Sequence, residues 1–253
     1  MHRLLVETRL LNEESPVLPA DAARHLKVLR PKDGEEIELF DGKGRFRVFQ
    51  VSGFKFQDGG GLVAVSPTCH VKPETCDLTL FACVTKGSRW DWTVEKATEL
   101  GVTRIVPVIS ERTIVRIPKD ERAAKRERWM RIAEDAARQS DAKWLPEICE
   151  AVDFKDALPL VKETTCFIGA LTEPPAPLLT KAVEDFRRET GDLKGVSTFI
   201  GPEGDFTPEE LAALMKIATP TSFGPTILRA ETAAIFAVSV LAATIDQNRC
   251  EER

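Results

Sequence analysis

The chain predicts an α/β protein in two parts: a small β-rich unit, then strands alternating with helices around a mostly parallel sheet. Three observations carry this. The rhythm of the sequence changes near residues 70–77, from period-two runs broken by turn residues to apolar runs separated by helical stretches. Before that point the connections are short and rich in Asp and Gly, as in hairpins. After it, two apolar runs near the C-terminus end in glycine-bearing turns, at Gly201 and Gly224.

In the first part, residues 45–51 (RFRVFQV) read as a half-buried strand, and Ile37-Glu38-Leu39-Phe40 runs into Asp41-Gly42, a hairpin signal. A glycine-rich turn over 58–61 precedes another strand at 62–65. A helix fits 21–29, with Asp21 near its cap. Together these make a small β-barrel-like domain, with Pro67 and Pro73 flanking the crossover out of it. In the second part, 78–84 is a buried strand and 88–100 a helix stopped by Gly101. Residues 104–109 form a strand whose Pro107 marks an edge or an irregularity. A long helix over 119–140 follows, then a strand around 145–149, a helix around 154–162, a strand over 166–171, a helix over 178–189 and a strand over 196–200. The final helix, 231–245, is apolar nearly all round, so it is buried, with a second subunit as one source of cover. Such alternation places helices on both faces of a parallel sheet, and ligands bind at the carboxyl ends of its strands. Gly201 and Leu171-Thr172 sit at such ends.

Composition narrows the classes. In 253 residues, 43% hydrophobic, there is enough apolar mass for a real core, and 30% charged residues give a polar surface. No run approaches the length of a membrane span, and the N-terminus lacks a secretory pattern; the expectation is a cytoplasmic protein. The six cysteines form no C-x-x-C, and Cys69-His70 with Cys76 and Cys83 is spaced too widely for a zinc knuckle, so no metal is expected and the cysteines read as reduced. A net charge of −5 argues against nonspecific nucleic-acid binding but not against specific binding. Two stretches are locally basic: Arg3, Arg9, Arg24, His25, Lys27, Arg30 and Lys32, then Lys119, Arg122, Lys125, Arg126, Arg128 and Arg131. Each is either a solvated face or a phosphate contact.

The segment Phe199-Ile200-Gly201-Pro202-Glu203-Gly204-Asp205-Phe206 followed by Phe223-Gly224-Pro225-Thr226-Ile227-Leu228-Arg229 is the most informative in the chain. Glycine has no Cβ, so two such loops side by side can wall a pocket with main-chain amides and carbonyls, suited to a flat polar cofactor such as an adenine nucleoside. The other reading of the first loop is an ordinary strand-to-helix turn. Thr207, Pro208 and Glu210 mark where it stops, in a Thr-x-x-Glu capping box. Neither a Walker loop nor a G-x-G-x-x-G fingerprint is present.

The order of motifs carries a resemblance. Residues 200–211 (IGPEGDFTPEEL), FG-x-x-ILR-x-ETA, Lys86-Gly87-Ser88 leading to Glu95-Lys96-Ala97-Thr98-Glu99-Leu100-Gly101-Val102, and Pro107 with Ser110-Glu111-Arg112-Thr113 resemble the RsmE family of 16S ribosomal RNA (uracil-N3)-methyltransferases. His25-Leu26-Lys27-Val28-Leu29-Arg30 with Phe40-Asp41-Gly42 is similar to that family's PUA-like barrel. The resemblance implies an RNA-binding barrel over 1–73 and, over 74–253, a SPOUT-class domain with a trefoil knot that binds S-adenosylmethionine. It also implies a homodimer acting on 16S rRNA within the small ribosomal subunit. The cofactor residues carried over are Leu171, Ile200, Gly201, Gly204, Phe223, Gly224, Ile227, Leu228, Thr232 and Ala233.

Four departures stand out. Asp205 replaces a glycine, Thr226 an arginine, and residues 138–142 (RQSDA) lack the family's leading Glu and terminal Arg. For the chemistry, Arg229 is the candidate cation beside a uracil carbonyl, its alternative being an ion pair with Glu231 or Glu203. Glu203 or Glu231 is the candidate proton acceptor, the alternative for each being a cap on a loop amide. Arg9, Arg24, Arg30 and Arg126 are the candidate phosphate contacts. Trp90, Trp92, Trp129 and Trp144 are either stacking platforms or, for most, core. Two other functions stay open: a SPOUT methyltransferase with a different target atom, and a non-catalytic RNA-binding protein of ribosome assembly.

Overall fold

The structure, a computed structural model, describes residues 1–53, 61–72, 77–161, 165–190 and 195–251, with side chains as far as residue 245 in the last helix. The expected turn at 58–60 and Cys76 lie outside the described residues. The chain divides into two compact units, Met1–Pro73 with Glu134–Leu145, and Glu74–Ala133 with Pro146–Arg253.

The first unit is built on a five-stranded sheet. β1 (His2–Leu5) runs parallel to β2 (Glu36–Phe40), which pairs antiparallel with β3 (Arg45–Val51). β3 also pairs antiparallel with β4 (Leu62–Ala64) and β5 (Cys69–His70). The hairpin read at Asp41-Gly42 is the β2–β3 turn, held by Asp41 Oδ1, which accepts from the amides of Lys43 (2.8 Å) and Arg45 (3.1 Å). β1 was not foreseen, since four residues are too few to show a period. Helix α1 (Ala20–Leu29) starts at Pro19 with no side-chain cap, so Asp21 lies in the first turn instead of capping it. Leu4, Leu10, Leu26, Ile37, Leu39 and Phe49 form the apolar core.

This unit also buries charge. Arg3, expected on a basic surface, is buried, with Nε 2.8 Å from Glu38 Oε1 and its terminal nitrogens on the carbonyls of Ala137 (2.6 Å) and Ala142 (2.9 Å). Its guanidinium lies 4.2 Å from the centre of the Phe40 ring. Lys143 Nζ reaches the two Glu38 oxygens at 2.6 and 2.7 Å. One buried carboxylate thus satisfies two cations, and the guanidinium ties the segment 134–145 to the β1–β2 pair by fixed donor geometry.

The second unit holds a seven-stranded, wholly parallel sheet. Its path is β12 (Thr219–Thr221), β10 (Thr165–Gly169), β11 (Gly195–Ile200), β6 (Asp77–Cys83), β7 (Arg104–Ile109) and β8 (Glu147–Ile148). β9 (Val152–Asp153) pairs with β7 beyond β8. Pro107 is interior, but it falls where β7 changes partner from β8 to β9, so the irregularity read from sequence is a break in the ladder on that side.

Alternation along the strands sorts two cores. Leu78, Leu80 and Ala82 of β6 pack with α2 (Ser88–Glu99), α3 (Arg122–Ser140), α5 (Leu179–Thr190) and α7 (Ala230–Glu251). Phe81 and Cys83 of the same strand pack on the other face with α4 (Phe154–Ala157) and α6 (Pro208–Leu214). The Phe81 and Phe199 rings stack at 4.4 Å across β6 and β11. Burial pushes the thiols of Cys83 and Cys166 up to about 11, which leaves both inert at neutral pH. Trp90 and Trp129 are core, edge to face at 5.6 Å, and Trp144 packs on Gly44 in the first unit. Only Trp92 among the four is exposed. α7, apolar nearly all round in sequence, is buried on only part of its surface. Ala234, Ala237, Val238, Leu241 and Ile245 are buried, while Thr232 and Ala243 are exposed.

Removing the guanidinium in Arg3→Ala leaves Glu38 buried with one cation fewer and the carbonyls of Ala137 and Ala142 unserved. The expected cost is about 3–5 kcal/mol. It is read as faster hydrogen exchange at the β1 and β2 amides, with those of β6 and β11 unchanged.

Candidate active site

Strands β10, β11 and β12 end together, and the segments leaving them wall a cavity of about 570 Å³. Gly169 ends β10 and Ala170 and Leu171 follow it; residues 201–205 follow β11; Thr221 ends β12, and residues 222–230 run from it into α7. Of the residues carried over as cofactor contacts, Leu171, Ile200, Gly201, Gly204, Phe223, Gly224, Ile227, Leu228 and Ala233 all line this cavity. Thr232 does not. It points into a shallow apolar groove with Trp92, Ile235, Phe236 and Val240, because one residue's step along α7 turns it about 100° from Ala233.

The backbone explains why the cavity is open. At Gly224, φ is +122° and an added Cβ would meet nothing within 4 Å, so the chain there takes a shape that only glycine holds without strain and leaves room beside it. Gly169 is needed for the opposite reason. A Cβ on it would lie 2.5 Å from the Phe223 ring, so that ring rests directly on the main chain at the end of β10. Leu171 (74% exposed) and Ile227 (84% exposed) give the mouth an apolar rim.

The loop after β11 is clamped from two sides. Arg112 Nη1 donates to the Gly204 carbonyl (3.0 Å) and to that of Phe206 (3.4 Å). Arg89, in the first turn of α2, sits 3.3 Å from Glu203. Arg112 is itself aimed by a buried turn. Thr113 Oγ1 accepts from the Ser110 amide (3.0 Å), and Arg116 donates to the carbonyls of Ser110 and Glu111. The capping box forms as read: Thr207 Oγ1 accepts from the Glu210 amide and Glu210 Oε2 accepts from that of Thr207. Glu210 Oε1 also accepts from the Glu111 amide (2.9 Å).

The catalytic candidates separate. Arg229 is exposed and lines the cavity, and among the described residues it has no carboxylate partner, so the ion pair with Glu203 or Glu231 is not formed. Glu203 lines the cavity and pairs with Arg89. Glu231 is 9% exposed in the first turn of α7, next to the lining residue Ala230, and its Oε2 has no hydrogen-bond partner among the described residues. Of the phosphate candidates, Arg24 and Arg30 are exposed, on α1 and at its left-handed C-cap. Arg9 is exposed and bonded to Glu7 (2.7 Å). Arg126 is half-buried in the second unit with Nε on the Ile148 carbonyl (2.7 Å), a task in packing α3 against β8.

Sequence reasoning missed Gly169, Arg89 and Arg112. A signal for the first was available: Phe167-Ile168-Gly169 repeats as Phe199-Ile200-Gly201, the same strand ending on two paired strands.

The pattern that defines the RNA methyltransferase domain matches residues 72–242, and this places the second unit, with its parallel sheet and glycine loops around a strand-end cavity, with the RNA methyltransferases. The pattern of the RNA methyltransferase PUA domain matches residues 18–55. A ribosomal RNA small subunit methyltransferase E from Aquifex aeolicus is 34% identical, across 89% of this chain and 93% of its own. A ribosomal RNA small subunit methyltransferase E from Neisseria gonorrhoeae, solved bound to S-adenosyl methionine, is 29% identical with a TM-score of 0.82, covering 96% of this chain and 98% of its own. A methyltransferase from Legionella pneumophila, solved with bound SAM, is 29% identical with a TM-score of 0.80, covering 96% of each chain. The chain belongs to the ribosomal RNA small subunit methyltransferase E family.

Two glycine substitutions should behave oppositely. Gly169→Ala drives a Cβ into Phe223 and is expected to cost about 1–3 kcal/mol. Gly204→Ala meets Arg112 only at an ordinary 3.5 Å and should be near neutral. Thermal unfolding of the two variants checks this.

Proposed function

We propose that the protein transfers a methyl group from S-adenosylmethionine to N3 of a uridine in 16S ribosomal RNA. The observation that carries this is the cavity at the ends of β10, β11 and β12, with nine of the ten carried-over cofactor residues on its wall. The cofactor fits it. Main-chain polar groups of the two loops suit an adenine and a ribose, the open side of Gly224 leaves space, and Leu171, Ile227 and Leu228 supply apolar contact. When bound, S-adenosylmethionine supplies an electrophilic methyl carbon: its C–S bond breaks with the electron pair left on sulfur as the N–C bond forms.

The protein's own groups do the rest. The loops hold the reacting atoms in near-attack contact. Arg229, free of any carboxylate among the described residues, stabilises negative charge developing on a uracil carbonyl as N3 loses its proton. Glu231, with acceptor capacity unused, takes that proton, while Glu203 is held by Arg89 and shapes the loop.

The remaining parts of the reading follow the family. The chain through β10, β11 and α7 forms a trefoil knot of the SPOUT class over 74–253, and residues 1–73 close as a PUA-like barrel that presents Arg24 and Arg30 to RNA phosphates. A second copy covers the groove at Trp92, Ile235, Phe236 and Val240, giving a cytoplasmic homodimer that acts on the small subunit. A mass of two chains in light scattering is expected.

Incubation with labelled S-adenosylmethionine and undermethylated small subunits, followed by nucleoside mass spectrometry, should give 3-methyluridine. A ribose-methylated nucleoside would point to another target atom, and no label to a non-catalytic role. Arg229→Ala should lower kcat about 10²–10³-fold, and Glu231→Gln should lower kcat about 10²–10⁴-fold while Glu203→Gln lowers it far less. Arg24→Ala with Arg30→Ala should weaken RNA binding and flatten its log–log salt slope by about one unit for each phosphate no longer neutralised. An unchanged slope overturns that assignment.

A further inference from the structure

Asp205 is the residue in the cavity wall whose presence the fold resists. Its φ is +59°, in the left-handed region, where a side chain is strained and glycine is the ordinary choice. Yet an aspartate stands there, and its carboxylate has a defined place. Oδ1 accepts from the Phe206 amide at 2.7 Å, and the Asp205 amide donates to the Pro202 carbonyl at 2.9 Å. The same oxygen lies 3.4 Å from where a Cβ on Gly201 would stand, so the charge lies against the main chain at the end of β11, on the cavity wall.

The charge is not neutralised locally. Among the described residues no lysine or arginine pairs with Asp205: Arg112 is spent on the carbonyls of Gly204 and Phe206, and Arg89 on Glu203. The loop therefore presents a second, unpaired carboxylate to whatever fills the cavity.

We infer that Asp205 is a charge-selective contact that favours the methyl donor over its demethylated product. This rests on the proposed function above. The chemistry is simple. Loss of the methyl group turns a sulfonium into a neutral thioether, so donor and product differ by one positive charge and one carbon. The other charged side chains on the wall give the donor no preference, since Glu203 is paired with Arg89 and Arg229 is itself a cation. A fixed anion in the wall attracts the donor and has no such attraction for the product. The selectivity shortens product occupancy, at the cost of a strained residue in the loop.

Asparagine separates charge from shape: Asp205→Asn keeps an oxygen for the Phe206 amide and a residue type tolerant of positive φ, and removes only the charge. Calorimetry on the protein without RNA gives the dissociation constants for S-adenosylmethionine and S-adenosylhomocysteine. The ratio of product to donor constants should fall about fivefold in Asp205→Asn, as expected for one partly solvated charge pair. In the wild type the ratio should also fall as salt is raised from about 0.05 to 0.5 M, and in the variant it should stay flat. Asp205→Gly should show the same drop in selectivity together with a gain in thermal stability from the relieved backbone. An unchanged ratio in Asp205→Asn, with both ligands still bound, overturns the inference and leaves the aspartate as a turn residue. Absence of binding by the wild type to either ligand would instead overturn the proposed function.

Discussion

Parallel pairing of β10, β11 and β12 is the constraint on which the functional site depends. The register aligns Ile168 with Phe199 and Gly169 with Thr221, so three strands run out within a residue or two of each other. Their exits must then leave from one edge, and the backbone groups freed there have no further strand to bond. A ligand that accepts and donates hydrogen bonds to main chain is the natural complement of such an edge. The apolar alternation that buries β11 on both faces thus also decides where the polar recognition falls.

The exits would be floppy if left to themselves, and the second unit stiffens them with arginines. Arg112 reaches carbonyls in the loop after β11, and Arg89 reaches Glu203 in the same loop. Guanidinium suits this use, since several fixed donors on one rigid plane hold carbonyls at set positions. The first unit uses the same device inside a core, where Arg3, Glu38 and Lys143 close a buried network around main-chain carbonyls of the segment 134–145. In both places charge serves geometry more than net stability.

Much of this was legible in the sequence, for reasons that differ by element. The long strand β3 shows a period of two, and β6, β7 and β11 stand out as largely apolar runs of five or more residues. The start of α6 was readable because Thr207, Pro208 and Glu210 act locally. β1 and β9 are too short to carry a period, and their existence depends on partners far along the chain, whereas β8 falls inside the strand read around 145–149. The two loops at Gly201 and Gly224 could be picked out because glycine, a turn and a strand end coincide, while the individual cavity residues came from the family resemblance. The repeat of Phe-Ile-Gly marked Gly169 as a strand end, but not why it must lack a Cβ, which arises from Phe223, more than fifty residues later. Thr232 was misplaced by a single step of helical angle. Arg3 read as surface because a lone arginine in an apolar run carries no trace of the carbonyls it will meet.

Glu210 carries a consequence of its own. Its carboxylate spans two elements, one oxygen on the Thr207 amide and the other on the Glu111 amide. The hinge where the chain enters α6 and the turn that aims Arg112 are therefore fastened by one side chain. Any motion that lifts the loop to admit a ligand must either carry the 110–113 turn with it or first release that double clasp. Opening of the mouth is in that sense a concerted displacement of two segments that lie about a hundred residues apart in the chain.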